Sequence, residues 1–102
     1  MDKNRWLSLS KAQQLGNIGS EIARARIWES KKDTDSRNKA LERALNLLDL
    51  SLDDRRWKSG IKEIARLREV VAAWFCNSPF FEISPQAMEN YCTHLSLKTN
   101  TQ

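Results

Sequence analysis

Glycine, proline, cysteine and histidine are all scarce in this 102-residue chain, at three, two, two and one. So little glycine and proline excludes collagen-like and low-complexity polymers, and two cysteines are too few for a disulfide scaffold. Both thiols, Cys76 and Cys92, are therefore expected to be buried and free. The longest apolar run, Val70 to Cys76, is seven residues, whereas a membrane-spanning helix needs about 20. Met1-Asp2-Lys3-Asn4-Arg5 leads into mixed polar sequence with no apolar core of a secretory signal, so a cytoplasmic protein without membrane contact is expected. The sequence holds no glycine-rich phosphate loop, no G-x-S-x-G and no H-E-x-x-H. No catalytic residue, cofactor or enzymatic activity is expected from it. His94 stands two residues after Cys92, a spacing that points the two to different sides of a helix. Adding Cys76 still leaves that set one ligand short of a closed zinc site, so no metal is expected.

What is present is helical periodicity. Hydrophobic residues make up 40% of the chain and charged ones 29%, with four tryptophans, a composition that folds. Nothing repeats internally, and no segment alternates as a strand would. From about Ser10 to Lys31, Ala12, Leu15, Ile18, Gly19, Ile22 and Ala25 fall on one face at 100° per residue. Gly16 and Gly19 cost this helix ~1 kcal/mol each relative to alanine. Either another helix backbone, from this chain or a second copy, approaches closely there, or the helix starts only after Gly16. Asp35 or Ser36 is placed to cap a second helix that runs to about Leu50. Its broad apolar face consists of Ala40, Leu41, Ala44, Leu45, Leu47 and Leu48. A third helix is expected over about 55 to 76, with Asp53 or Asp54 as its cap and Trp57, Ile61, Ile64, Ala65, Val71, Ala72 and Phe75 on one face. Asn77-Ser78-Pro79 ends it. Phe80, Phe81 and Ile83 are expected to pack irregularly over the bundle. Ser84-Pro85 starts a short fourth helix burying Met88, Tyr91, Cys92 and Leu95. The expected fold is all-α, an antiparallel bundle of four helices with the last one short. One domain spans residues 1–97, followed by a frayed polar tail over 98–102.

Several residues stand out from this pattern. Trp57 and Trp74 read as core. Trp6 and Trp28 lie on the polar side of the first segment and could cover a subunit interface, meet the C-terminal segment or face a ligand. Arg26 and Arg68 occupy positions where the helical stripes ask for apolar residues. They read as ion pairs that fix helix register, with Glu29 the nearest partner for Arg26; as cations lining an opening or a phosphate groove; or as side chains reaching out to solvent. Arg55, Lys58, Lys62 and Arg66 crowd the outward side of the third helix, where Glu69 is the only acid. Like charges at four-residue spacing repel one another, so this sector reads either as a phosphate-binding surface or as an ordinary solvated face. Residues 1–75 hold sixteen basic against eleven acidic side chains, and the remainder one against two. An anionic partner would therefore be met in the first three quarters of the chain.

The stretches Trp6-Leu7-Ser8-Leu9-Ser10-Lys11-Ala12, Leu15 to Ala25, Ala40 to Leu45 and Arg66 to Val70 resemble a group of short bacterial hypothetical helical proteins of unassigned function. In size, basic charge and helix count the chain is also similar to the accessory variability determinant of diversity-generating retroelements. A further similarity is to the four-helix proteins encoded inside some bacterial ribosomal RNA genes. The retroelement resemblance implies a homo-oligomeric helical barrel that binds nucleic acid and a reverse transcriptase, and no family residue is carried over from it. The functional expectation is a small basic accessory protein that binds the nucleic acid phosphate backbone, in a ribonucleoprotein or retroelement complex. The alternative is a homo-oligomeric protein–protein adaptor.

Overall fold

A computed structural model describes residues 2–77 and 84–100. Five α-helices and one 3-10 turn account for nearly all of them, and no strand occurs among the described residues. Helix α1 (Lys3–Ser8) starts at Asp2, whose carboxylate accepts from the Arg5 amide. A capping box starts α2 (Lys11–Ser30): the Gln13 amide donates to Ser10 Oγ at 3.1 Å, and the Ser10 amide donates to Gln13 Oε1 at 2.9 Å. Each bond satisfies an amide that the first helical turn leaves without a partner. Gly16 therefore lies inside the helix, and a start after it is excluded.

Helix α3 (Thr34–Leu52) is capped by Asp33, two residues before the earlier of the two expected caps. Asp54 caps the 3-10 turn (Arg55–Trp57), and α4 (Ile61–Phe75) starts only after Gly60. The single helix expected from residue 55 is thus interrupted. A Cβ at Gly60 would lie 2.9 Å from Cε3 of Trp57, so the indole occupies the space a side chain would need. Asn77 then turns the chain out of α4 with φ at 54°, a left-handed conformation that asparagine tolerates. Helix α5 (Pro85–Asn100) follows the Ser84 cap as expected, its first turn held by the bond from the Ala87 amide to Ser84 Oγ. At 16 residues against 15 for α4 it is not short, and it takes in Lys98, where the polar tail was expected to begin. The expected packing of Phe80, Phe81 and Ile83 lies outside the described residues.

Cross-helix bonds give the topology. Arg43 of α3 reaches Glu21 of α2, and Gln14 near the start of α2 reaches Asp54 just past α3, so these two helices are antiparallel. Arg37 at the start of α3 reaches Trp74 at the end of α4, and Arg26 late in α2 reaches Glu89 early in α5. The four long helices therefore run up, down, up and down. Helix α2 packs against both α3 and α5, and α3 also packs against α4. Their shared core includes Leu15, Ile18, Ile22, Leu41, Leu48, Ile64, Val71 and Met88.

Two positions whose partners the sequence left open close this core. Trp6 is 0% exposed, carried inward by the additional helix α1. Gly19 faces α5 of the same chain, where an added Cβ would lie 3.3 Å from Cys92 Cβ. Departures from the expected burial are Tyr91, 37% exposed, and Cys76, which is exposed, while Cys92 is buried; both thiols are free. Burial pushes the Cys92 thiol up to about 12, so it stays protonated and unreactive at neutral pH.

Candidate functional site

One end of the bundle brings together the starts of α2 and α4 and the end of α3. A buried polar cluster holds it. Gln14 is fully buried, yet its amide uses both ends: Nε2 donates to Trp6 O and to Asp54 Oδ2, each at 3.0 Å. Its Oε1 accepts from Trp57 Nε1 at 2.7 Å, with Ser51 Oγ 3.4 Å away. Ser51 in turn accepts the Trp6 indole N–H at 3.1 Å and donates to Leu47 O. Asp54 takes the Arg56 guanidinium on both oxygens, and Arg56 also donates to Leu7 O. Arg56 holds the Asp54 carboxyl well below its usual 3.8, at about 2, with further help from the Arg56 amide and Gln14. Helix α1, the start of α2, the end of α3 and the 3-10 turn are thereby tied into one rigid piece.

Cations crowd the outside of this piece. Lys11 places its ammonium 5.0 Å from the centre of the Trp57 ring, a cation–π distance. Arg55 and Lys58 flank a hollow of about 370 Å³ that Leu52, Asp53, Asp54 and Ile61 also line, and Lys62 follows in the first turn of α4. Arg55, Lys58 and Lys62 are exposed. All seven ion pairs among the described residues are made by arginines: Arg24 and Arg43 on Glu21, Arg26 on Glu89, Arg37 on Glu29, Arg56 on Asp54, Arg66 on Glu69 and Arg68 on Asp49. The guanidinium fork suits a carboxylate and loses less freedom per bond than an ammonium does. Lys11, Arg55, Lys58 and Lys62 enter none of these pairs.

The residues singled out from sequence therefore separate. Lys62 and Arg66 lie one turn apart on α4. Arg55 and Lys58 belong to the turn before it, so the four make no single helical row. Arg66 is exposed and bonds Glu69 at 3.4 Å. Arg26 and Arg68 are not interior: their side chains are 39% and 40% exposed, and each bridges to a neighbouring helix, Arg26 to Glu89 at 3.1 Å and Arg68 to both oxygens of Asp49. Glu29, the partner expected for Arg26, instead takes the Trp74 indole N–H and faces Arg37. The buried arginine is Arg37, read from sequence only as part of the basic density. Its guanidinium donates to Trp74 O and Asn77 Oδ1 at the far end of the bundle, with the Trp74 ring beside it. Trp28 is half-buried under Lys31 at that same far end, and Trp57 and Trp74 are core residues, the latter partly covered.

Sequence reasoning missed the Gln14 cluster. Its signal was available: Gln14, Ile18 and Ile22 follow one another at four-residue spacing, which puts the amide on the buried face. No cluster of histidine, cysteine or carboxylate groups able to hold a metal occurs among the described residues, and no helix among them is long and apolar enough to cross a membrane. No protein family, curated protein or solved structure matches this chain.

Proposed function

We propose that the protein binds the phosphate backbone of nucleic acid through Lys11, Arg55, Lys58 and Lys62 at the basic end of the bundle, as an accessory protein in a nucleic-acid complex. The observation that carries this reading is the division of the charges. The described ion pairs consume arginines on carboxylates, while these four cations, like Lys31, Lys32 and Lys39 at the other end, stand outside them. What sets the four apart is that the start of α2 and the 3-10 turn, which carry Lys11, Arg55 and Lys58, are held in place by a buried hydrogen-bond cluster, with Lys62 following in α4. An unpaired cation gains more from a phosphate than one already bonded to a carboxylate, and each phosphate neutralised releases condensed counterions. Arg66 and the bridged Arg26 and Arg68 drop out of the phosphate-binding set, because their guanidinium groups already hold acids.

Filter binding at two salt concentrations tests the reading. Wild type retains RNA or DNA at low salt and loses it steeply as salt rises. A variant carrying Arg55→Gln, Lys58→Gln and Lys62→Gln binds weakly with a flatter salt dependence and unchanged helix content. Wild type that fails to bind any nucleic acid at low salt refutes it. The second reading, a homo-oligomeric adaptor, is favoured by one observation, the apolar hollow of about 360 Å³ between α4 and α5 lined by Leu67, Val70, Ala87, Met88 and Tyr91. Self-association in sedimentation that Tyr91→Asp abolishes, together with indifference to nucleic acid, would establish that reading instead.

A further inference from the structure

We infer, building on the phosphate-binding reading, that the basic end takes double-stranded nucleic acid in preference to a single strand of the same sequence. Proteins that hold single strands combine a basic groove with aromatic faces on which successive bases stack. At this end the aromatic residues are turned inward. Trp6 and Trp57 are 0% and 1% exposed, and both indole N–H groups are already bonded. Lys11 covers the Trp57 ring, so the ring offers a charge where it would otherwise offer a face.

Tyr91 is the aromatic side chain that stands out to solvent among the described residues, and it lies on the groove between α4 and α5. The ring lies in that groove beside Arg66, Leu67 and Met88, outside the set of cations at the basic end. What remains at the basic end is charge held in a fixed arrangement. Such an array favours the polyanion with the higher linear charge density, and a duplex carries two phosphate chains along one axis. A duplex is also stiff, so meeting a rigid array costs it little ordering, whereas a single strand must be immobilised without stacking to offset the loss.

The test is a titration of wild-type protein with a duplex of about 20 base pairs and with each of its separated strands. It is run at matched nucleotide concentration and low salt, once in DNA and once in RNA because the phosphates are common to both. The expected result is binding about tenfold tighter to the duplex in at least one of the two chemistries. The Arg55→Gln, Lys58→Gln, Lys62→Gln variant removes the preference, and Tyr91→Ala leaves both affinities unchanged. Strands bound as tightly as their duplex in both chemistries, or a single-strand affinity that falls with Tyr91→Ala, overturn the inference and leave phosphate binding intact. Failure of duplex and strands alike to bind retires both.

Discussion

Gln14 shows how much one side chain can decide. A glutamine on an amphipathic helix usually faces water, but this one sits inside the core with three hydrogen bonds that join an indole, a carboxylate and a backbone carbonyl. Gln14→Leu fits the volume and leaves the buried Trp57 indole N–H without a partner, whereas Asp54 keeps Arg56, Ser51 keeps Leu47 O and Trp6 O keeps the Leu9 amide. A buried polar group left unpaired costs about 1–3 kcal/mol, so a loss in that range is expected, read as a lower urea midpoint at unchanged slope. Asp54 makes a pH prediction. Its folded pKa is depressed to about 2 from 3.8, so its contribution is complete above pH 4 and is lost as pH falls from about 4 to about 2. The lowering corresponds to about 2 kcal/mol. The difference in unfolding free energy between wild type and Asp54→Asn should therefore shrink across that window; a constant difference refutes the assignment. Neither residue was legible as central, because the polar cluster depends on the meeting of four segments that periodicity treats separately.

At the level of the helices, the glycines test where backbones meet. Gly16 would meet nothing within 4 Å if given a Cβ, Gly19 would meet Cys92 Cβ at 3.3 Å, and Gly60 would meet the buried Trp57 ring at 2.9 Å. Gly16→Ala should gain about 1 kcal/mol from helix propensity alone, a rise of about 4–8 °C in Tm for a domain of this size. Gly19→Ala should gain less than that or lose stability, because the Cβ it meets is fixed to the backbone of α5 and can yield only if the helix moves. Gly60→Ala should lose about 1–3 kcal/mol through displacement of a packed indole. Thermal unfolding of the three variants side by side checks the order. Helices α2, α3 and α5 were legible from their apolar spacing, although Asp33 and neither Asp35 nor Ser36 caps α3. The break before α4 was not, since Trp57 faces the same core from a turn that Ile61 and Ile64 face from a helix. An apolar pattern can thus continue across a helix that does not.

Across the whole molecule, the buried hydrogen-bond cluster beneath one end, rather than the amount of charge or apolar surface, distinguishes the two ends. Of the two tryptophans that could have covered a subunit interface, Trp6 is buried in the core and Trp28 is half-buried under Lys31. Lysines remain on both ends, with Lys31, Lys32 and Lys39 around the turn between α2 and α3 and Lys11, Lys58 and Lys62 opposite. The molecule is 38 Å along its longest axis, several times the Debye length of about 8 Å at physiological ionic strength. Cations at the far end therefore cannot help hold a phosphate chain docked at the basic end; they add only weak steering. Two triple variants with the same net charge separate local binding from overall charge. Lys11→Gln with Lys58→Gln and Lys62→Gln should flatten the slope of log affinity against log salt by about 0.9 for each duplex phosphate that is no longer neutralised. Lys31→Gln with Lys32→Gln and Lys39→Gln should leave that slope unchanged, with a small loss of affinity at low salt alone. Equal effects from the two triples would mean that net charge, and not the arrangement held by Gln14 and Asp54, governs binding.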